Sequence, residues 1–135
     1  MRLDQRDARS IIRELKFREG LVTAVVRDSR TKDVLMVAFQ NPEAVQKTLT
    51  EGRMYYWSRS RGKLWLKGEV SGHFQKLKGV RVDCDGDAIL YDVEQAGASC
   101  HMGYYSCFYR KIKKGRLTTF MKRKFKPEDV YGKGD

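Results

Sequence analysis

Beyond Arg53, Gly, Ser and Asp cut the chain into short runs rich in β-branched and aromatic residues. That punctuation leaves room for little but a sheet. The runs read "RMYYWS", "KLWLKG", "GVRVDC", "AILYDVEQ", "SCFYRKI" and "LTTFM". Upstream, Leu21 to Val26 and Val34 to Phe39 are two more such runs, joined by the polar "RDSRTK", which predicts a hairpin. Helices fit in two places. Ala8 to Phe17 carries Ile11, Ile12 and Leu15 at helical spacing, with Gly20 as its stop. Asn41-Pro42 supplies an N-cap and a first-turn proline for a helix bearing Val45 and Leu49 and closed by Gly52. Pro127 opens a short terminal turn or helix. The expectation is one α+β domain over residues 1–135, dominated by an antiparallel sheet with about two helices.

Charge narrows the partners. Lys and Arg number 28 against 17 acids, a net charge of +11, which attracts polyanions or phosphate-bearing small molecules. The bases crowd Arg110 to Lys126, with few aromatic residues interleaved for base stacking, so a solvated strand and tail is favoured over a nucleic-acid face. The apolar runs are far too short for a membrane span, and "MRLDQRDARSIIREL" lacks the apolar centre of a secretory signal. A soluble cytoplasmic protein is expected. Its three cysteines are an odd count and suit reduced thiols rather than a disulfide framework.

The chemistry-bearing residues concentrate in "VDCDGD" and "CHMGYYSC". Asp83, Asp85 and Asp87 alternate, so an extended strand would put all three on one face and Cys84 on the other. Three clustered carboxylates repel unless a cation sits among them, and such hard oxygens favour Mg²⁺ or Ca²⁺. An EF-hand loop is rejected, since Ala88 stands where its glycine is required and the flanks read as strands. Cys84, Cys100 and Cys107 are soft ligands suited to Zn²⁺, and three protein ligands leave a fourth place for water. Three thiolates leave a zinc centre with net charge −1, which weakens its acidity, so a neighbouring base would help. His101 adjoins a ligand and is that base, or else the fourth ligand; His73 is taken as a surface or supporting residue. Ser58, Arg59, Ser60, Arg61 and Lys63 form a dense donor set for phosphate, with Trp57 and Trp65 offering flat faces to a planar ring.

Together and in this order, "YYWSRSRGKLWLKGEVSGHFQ", "VDCDGDAILYDVEQ" and "ASCHMGYYSCFYR" resemble the phosphoribosyl-AMP cyclohydrolase family of histidine biosynthesis, over Val34 to Arg110. Residues 1–20 and 111–135 carry no such motif. The resemblance implies a zinc- and magnesium-dependent hydrolase that opens the adenine ring of N1-(5-phosphoribosyl)-AMP between N1 and C6. It implies an intertwined homodimer whose zinc sites take cysteines from both chains. Cys84, Cys100 and Cys107 would hold zinc, Asp83, Asp85 and Asp87 magnesium, and His101 would act as acid and base. Lys67 and Glu69 of the W-x-K-G-E block join the substrate-binding candidates. Two departures stand out. Met102 replaces the threonine frequent in C-H-T-G, and Tyr104 and Tyr105 stand where more polar residues are expected. The family is often fused to a pyrophosphohydrolase; a chain of 135 residues is expected to carry the single activity. The rival reading is a basic RNA-binding protein with a structural zinc, in which the aspartates have no task.

Overall fold

The computed structural model describes residues 1–131, so the last four residues of the expected domain lie outside it. Helix α1 spans Gln5–Glu14, capped by the Asp4 side chain, which accepts from the Asp7 amide. It starts earlier than predicted and ends at Leu15 rather than Gly20, because Leu15 turns into extended backbone and buries its side chain. Helix α2 spans Pro42–Glu51, with the predicted Asn41 cap, and Gly52 closes it in the left-handed conformation that favours glycine. A third helix, α3, is a single turn at Pro127–Tyr131.

The predicted hairpin is β1 (Val22–Asp28) and β2 (Val34–Gln40). Its connection is an Asx turn in which the Asp28 carboxylate accepts the Arg30 and Thr31 amides at 2.8 and 3.3 Å. Strands β3 (Tyr55–Ser58), β4 (Lys63–Leu66), β5 (Gln75–Val82) and β6 (Ala88–Gln95) complete a sheet of order β4-β3-β2-β1-β6-β5. All pairings are antiparallel except β1 with β6. The sheet curls until β5 meets the chain entering β3: Met54 donates to the Gln75 carbonyl and Leu77 to that of Gly52. The parallel pair and the closure invert no side-chain pattern, so alternation in β1 and β6 still marks the buried face.

One face of the sheet makes the core with α1 and α2. Val22, Ala24, Val26, Ile89, Tyr91 and Val93 pack there against Ala8, Val45 and Leu49. Two buried tyrosines are paired: Tyr91 donates to Gln40 Oε1 at 2.7 Å, and Tyr56 to Gln75 Oε1 at 2.5 Å. The opposite face brings Val25, Val37, Phe39, Trp57, Leu64 and Leu90 into register. Val37 is 46% exposed.

The predicted strand "SCFYRKI" is strand only at its end. Ser106 and Cys107 instead cross the end of β2, with the Cys107 amide donating to the Leu35 carbonyl and the Ser106 hydroxyl to that of Val34, both at 2.7 Å. Strands β7 (Arg110–Lys113) and β8 (Arg116–Thr119) then form a separate hairpin. Its basic residues are exposed, as predicted, and so are Ile112 (78%) and Leu117 (65%).

Candidate active site

The segment after β4 folds back tightly. The Gly72 amide donates to the Gly68 carbonyl at 2.7 Å, and Gly68 itself has φ +94° with the backbone of His73 and Phe74 against its Cα. This makes one wall of a cleft of about 690 Å³, a volume suited to a nucleotide-sized molecule. Ser58, Ser60 and Arg61 come from the β3–β4 turn; Trp65, Lys67, Gly68, Glu69 and Ser71 follow. His101 and Met102 enter from the other side, with Pro127 and Tyr131 of α3.

Six of the nine substrate candidates therefore meet His101 in one cleft. Trp57, Arg59 and Lys63 do not line it. Trp57 lies on the opposite sheet face, paired with Phe39 and Leu64. The Arg59 guanidinium stacks over the Phe39 ring at 4.1 Å, and Lys63 is an exposed strand residue. The sequence reading missed Pro127 and Tyr131. They reach the cleft because the Lys124 amide donates to the Gly103 carbonyl at 2.6 Å, a contact no local pattern announces.

The loop that carries His101 also makes a thiol pair. Cys100 is buried, and its sulfur accepts the Met102 amide at 3.4 Å. The Cys107 thiol approaches Cys100, and that contact holds the Cys100 thiol down at about 6, helped by the Met102 and Tyr104 amides and the charge of His101. Cys107, an exposed residue, is correspondingly pushed up, first by its contact with Cys100 and then by desolvation of its thiol. A sulfur that accepts an amide N–H and stands beside a second thiol has the donor chemistry zinc requires. Lys67 sits beside the pair. It is 8% exposed and its Nζ donates to the Ser99 carbonyl. Burial draws its ammonium below the ordinary range, while the nearby thiols raise it.

Cys84 lies elsewhere. It is exposed in the β5–β6 turn, where its thiol donates weakly to Asp85 Oδ1 at 3.7 Å. Among the described residues no ligand group joins it to Cys100 and Cys107 within one chain. The same turn gathers Asp83, Asp85 and Asp87, with ligand atoms within 4.8 Å of one another. The convergence has a different cause from the strand face predicted for it. Asp83 accepts the amides of Asp87 and Ala88 at 3.2 Å, and the resulting turn points the three carboxylates together. They fit a hard divalent cation. Arg18 pairs with Asp87 at 2.8 Å and holds that carboxyl below its ordinary range.

Other expectations changed. Of the two roles expected for His73, surface or supporting, the surface one does not hold: it is half-buried, its ring meets Phe125 edge-on at 5.1 Å, and its Nδ1 has no partner among the described residues. Tyr104 stacks on Tyr109 at 3.7 Å, and Tyr105 donates to Asp28 Oδ2 at 2.6 Å, so both aromatic departures brace the loop. Met102 lines the cleft and lends its amide to Cys100.

Comparison with known proteins agrees with these motifs. The profile of the phosphoribosyl-AMP cyclohydrolase family matches residues 36–109. The phosphoribosyl-AMP cyclohydrolase of Methanosarcina acetivorans is 52% identical over 117 residues, which is 87% of this chain and 95% of the relative. That of Methanothermobacter thermautotrophicus is 54% identical over 118 residues, covering 86% of each chain. That of Rhodopseudomonas palustris is 54% identical over 121 residues, covering 84% of this chain and 80% of the relative. On these matches the chain belongs to the phosphoribosyl-AMP cyclohydrolase family.

Proposed function

We propose that the chain hydrolyses N1-(5-phosphoribosyl)-AMP in histidine biosynthesis, breaking the N1–C6 bond of the adenine ring to give the phosphoribosyl-formimino aminoimidazole carboxamide ribotide. The observation that carries this reading is the cleft that sets His101, beside the thiol pair, across from Ser58, Ser60 and Arg61. Arg61 and the two serines hold a phosphate, and Trp65 offers its face to the base. Alkylation at N1 leaves C6 electron-poor. His101 takes a proton from the attacking water and returns one to N1 as the ring opens. Zinc, when held by Cys84, Cys100 and Cys107, supplies a Lewis acid that makes water a stronger nucleophile. Asp83, Asp85 and Asp87 would hold magnesium.

The ligand set makes the active unit a homodimer. Cys84 lies in the β5–β6 turn, apart from the cysteine pair of its own chain, so the third thiolate comes from a second copy. The apolar sheet face of Val25, Val37, Phe39 and Leu90 supports such pairing. No helix among the described residues is long and apolar enough to cross a membrane; the proposed location is the cytoplasm. The test is incubation of the zinc- and magnesium-loaded protein with N1-(5-phosphoribosyl)-AMP, following the ultraviolet change of ring opening. An unchanged spectrum, together with tight sequence-dependent RNA binding at physiological salt, would return the assignment to the RNA-binding rival.

A further inference from the structure

Lys67 poses a problem that substrate binding does not solve. It is 8% exposed, and among the described residues no carboxylate pairs with it. A buried ammonium without a countercharge is destabilising. Its Nζ is already committed to the carbonyl of Ser99, the residue that directly precedes Cys100, and lies 5.9 Å from the Trp65 ring centre. Ser99 is fully buried as well. Its hydroxyl has no hydrogen-bond partner among the described residues.

We propose that Lys67 is a positioning residue for the metal centre, the fixed counter-cation of the Cys100 and Cys107 thiolates, and not a ligand of the substrate's phosphates. The inference rests on the reading of those thiols as zinc ligands. Three thiolates on one Zn²⁺ leave a net charge of −1, and a single ammonium held behind the sulfurs restores neutrality. It offsets thiolate charge without occupying the coordination position left for water. In turn the thiolates supply the negative charge that the buried ammonium lacks. Partners of this kind, one bond removed from the metal, set its affinity and its electronics.

The experiment compares wild type with Lys67→Met and Lys67→Gln, using zinc competition against a chromophoric chelator and the spectrum of the Co²⁺-substituted protein. Glutamine can still donate to the Ser99 carbonyl but carries no charge; methionine has neither. Both variants are expected to bind zinc about 10- to 100-fold more weakly. Both should shift the thiolate-to-cobalt charge-transfer bands to longer wavelength, with the ligand-field bands unchanged. Should the methionine variant not fold, the glutamine variant carries the test. Full zinc affinity in Lys67→Gln makes Lys67 only a prop for Ser99 and overturns the proposal. So does unaltered zinc affinity in both variants with a raised KM, which would return Lys67 to the substrate. A wild-type protein that itself binds no zinc refutes the metal reading on which the proposal stands, a result separate from either.

Discussion

Replacing Gly68 by Ala tests whether the cleft wall depends on a backbone contact. Gly68 holds φ +94°, and a methyl group built there meets Phe74 N at 2.6 Å, with His73 C and Phe74 Cα at 2.8 Å. These are main-chain atoms leading directly into β5, so they cannot swing aside as a side-chain tip could. Gly62, in the turn between β3 and β4, has φ +61° with nothing within 4 Å of the same added methyl. Both substitutions incur the left-handed penalty of about 1–2 kcal/mol. Only Gly68→Ala adds overpacking, about 1–3 kcal/mol. For a domain of this size each kcal/mol moves Tm by about 3–5 °C, so Gly68→Ala should melt about 3–15 °C below Gly62→Ala. Thermal unfolding followed by circular dichroism, at equal protomer concentration, reads the difference. Equal melting temperatures would refute the steric reasoning, because the two residues would then differ in nothing that matters. Gly68→Ala should also raise KM, since the displaced segment lines the cleft.

The remaining predictions concern the site and the fold's response to acid. Cys107→Ala should lose stoichiometric zinc, and metal analysis showing full occupancy would remove Cys107 from the ligand set. His101→Ala should keep its zinc and slow turnover by about 10²–10⁴; metal loss would make His101 a ligand instead. Mixing Cys84→Ala with Cys107→Ala chains under refolding should restore about a quarter of wild-type activity, because half the dimers are mixed and each has one intact site; no recovery rules out sharing. Arg61→Ala should lower kcat/KM by about 10- to 150-fold through lost charged hydrogen bonds. Arg59→Ala, stacked on Phe39 outside the cleft, should change it far less. Burial would raise the Asp28 carboxyl, but the Tyr105 hydroxyl and the Arg30 and Thr31 amides outweigh it and hold it below 3.8. A depressed carboxyl stabilises the fold above its ordinary value and stops doing so as pH falls through the folded one. Tyr105→Phe should therefore cost about 1.5–3 kcal/mol at pH 7. Urea titrations should show that gap closing below the ordinary carboxylate value of 3.8, and a gap constant with pH counts against it.

Legibility from sequence followed the range of the forces involved. Asn41 and Pro42 announced α2 because capping is local, and alternation announced β1 and β6 because burial imposes a period of two. Ser106 and Cys107 read as strand from composition, yet their hydrogen bonds go to Val34 and Leu35 at a sheet end. That partner is 72 residues away and leaves no local mark. The aspartates were legible as a cluster but not as a turn, since the Asp83 side chain does the gathering. Serine and arginine around the β3–β4 turn pointed to a phosphate cradle. Which of the two arginines faces it was hidden, because Arg59 and Arg61 differ only in the aromatic ring nearby.

The β7–β8 hairpin has a consequence for how such a chain must be made. Ile112 and Leu117 face each other across it and stand in water on a lone subunit. A two-stranded ribbon is barely stable without a surface to lie on. Under the proposed pairing of two copies, a newly synthesised chain carries a greasy finger until it is covered, and slow association at low expression should favour precipitation over enzyme.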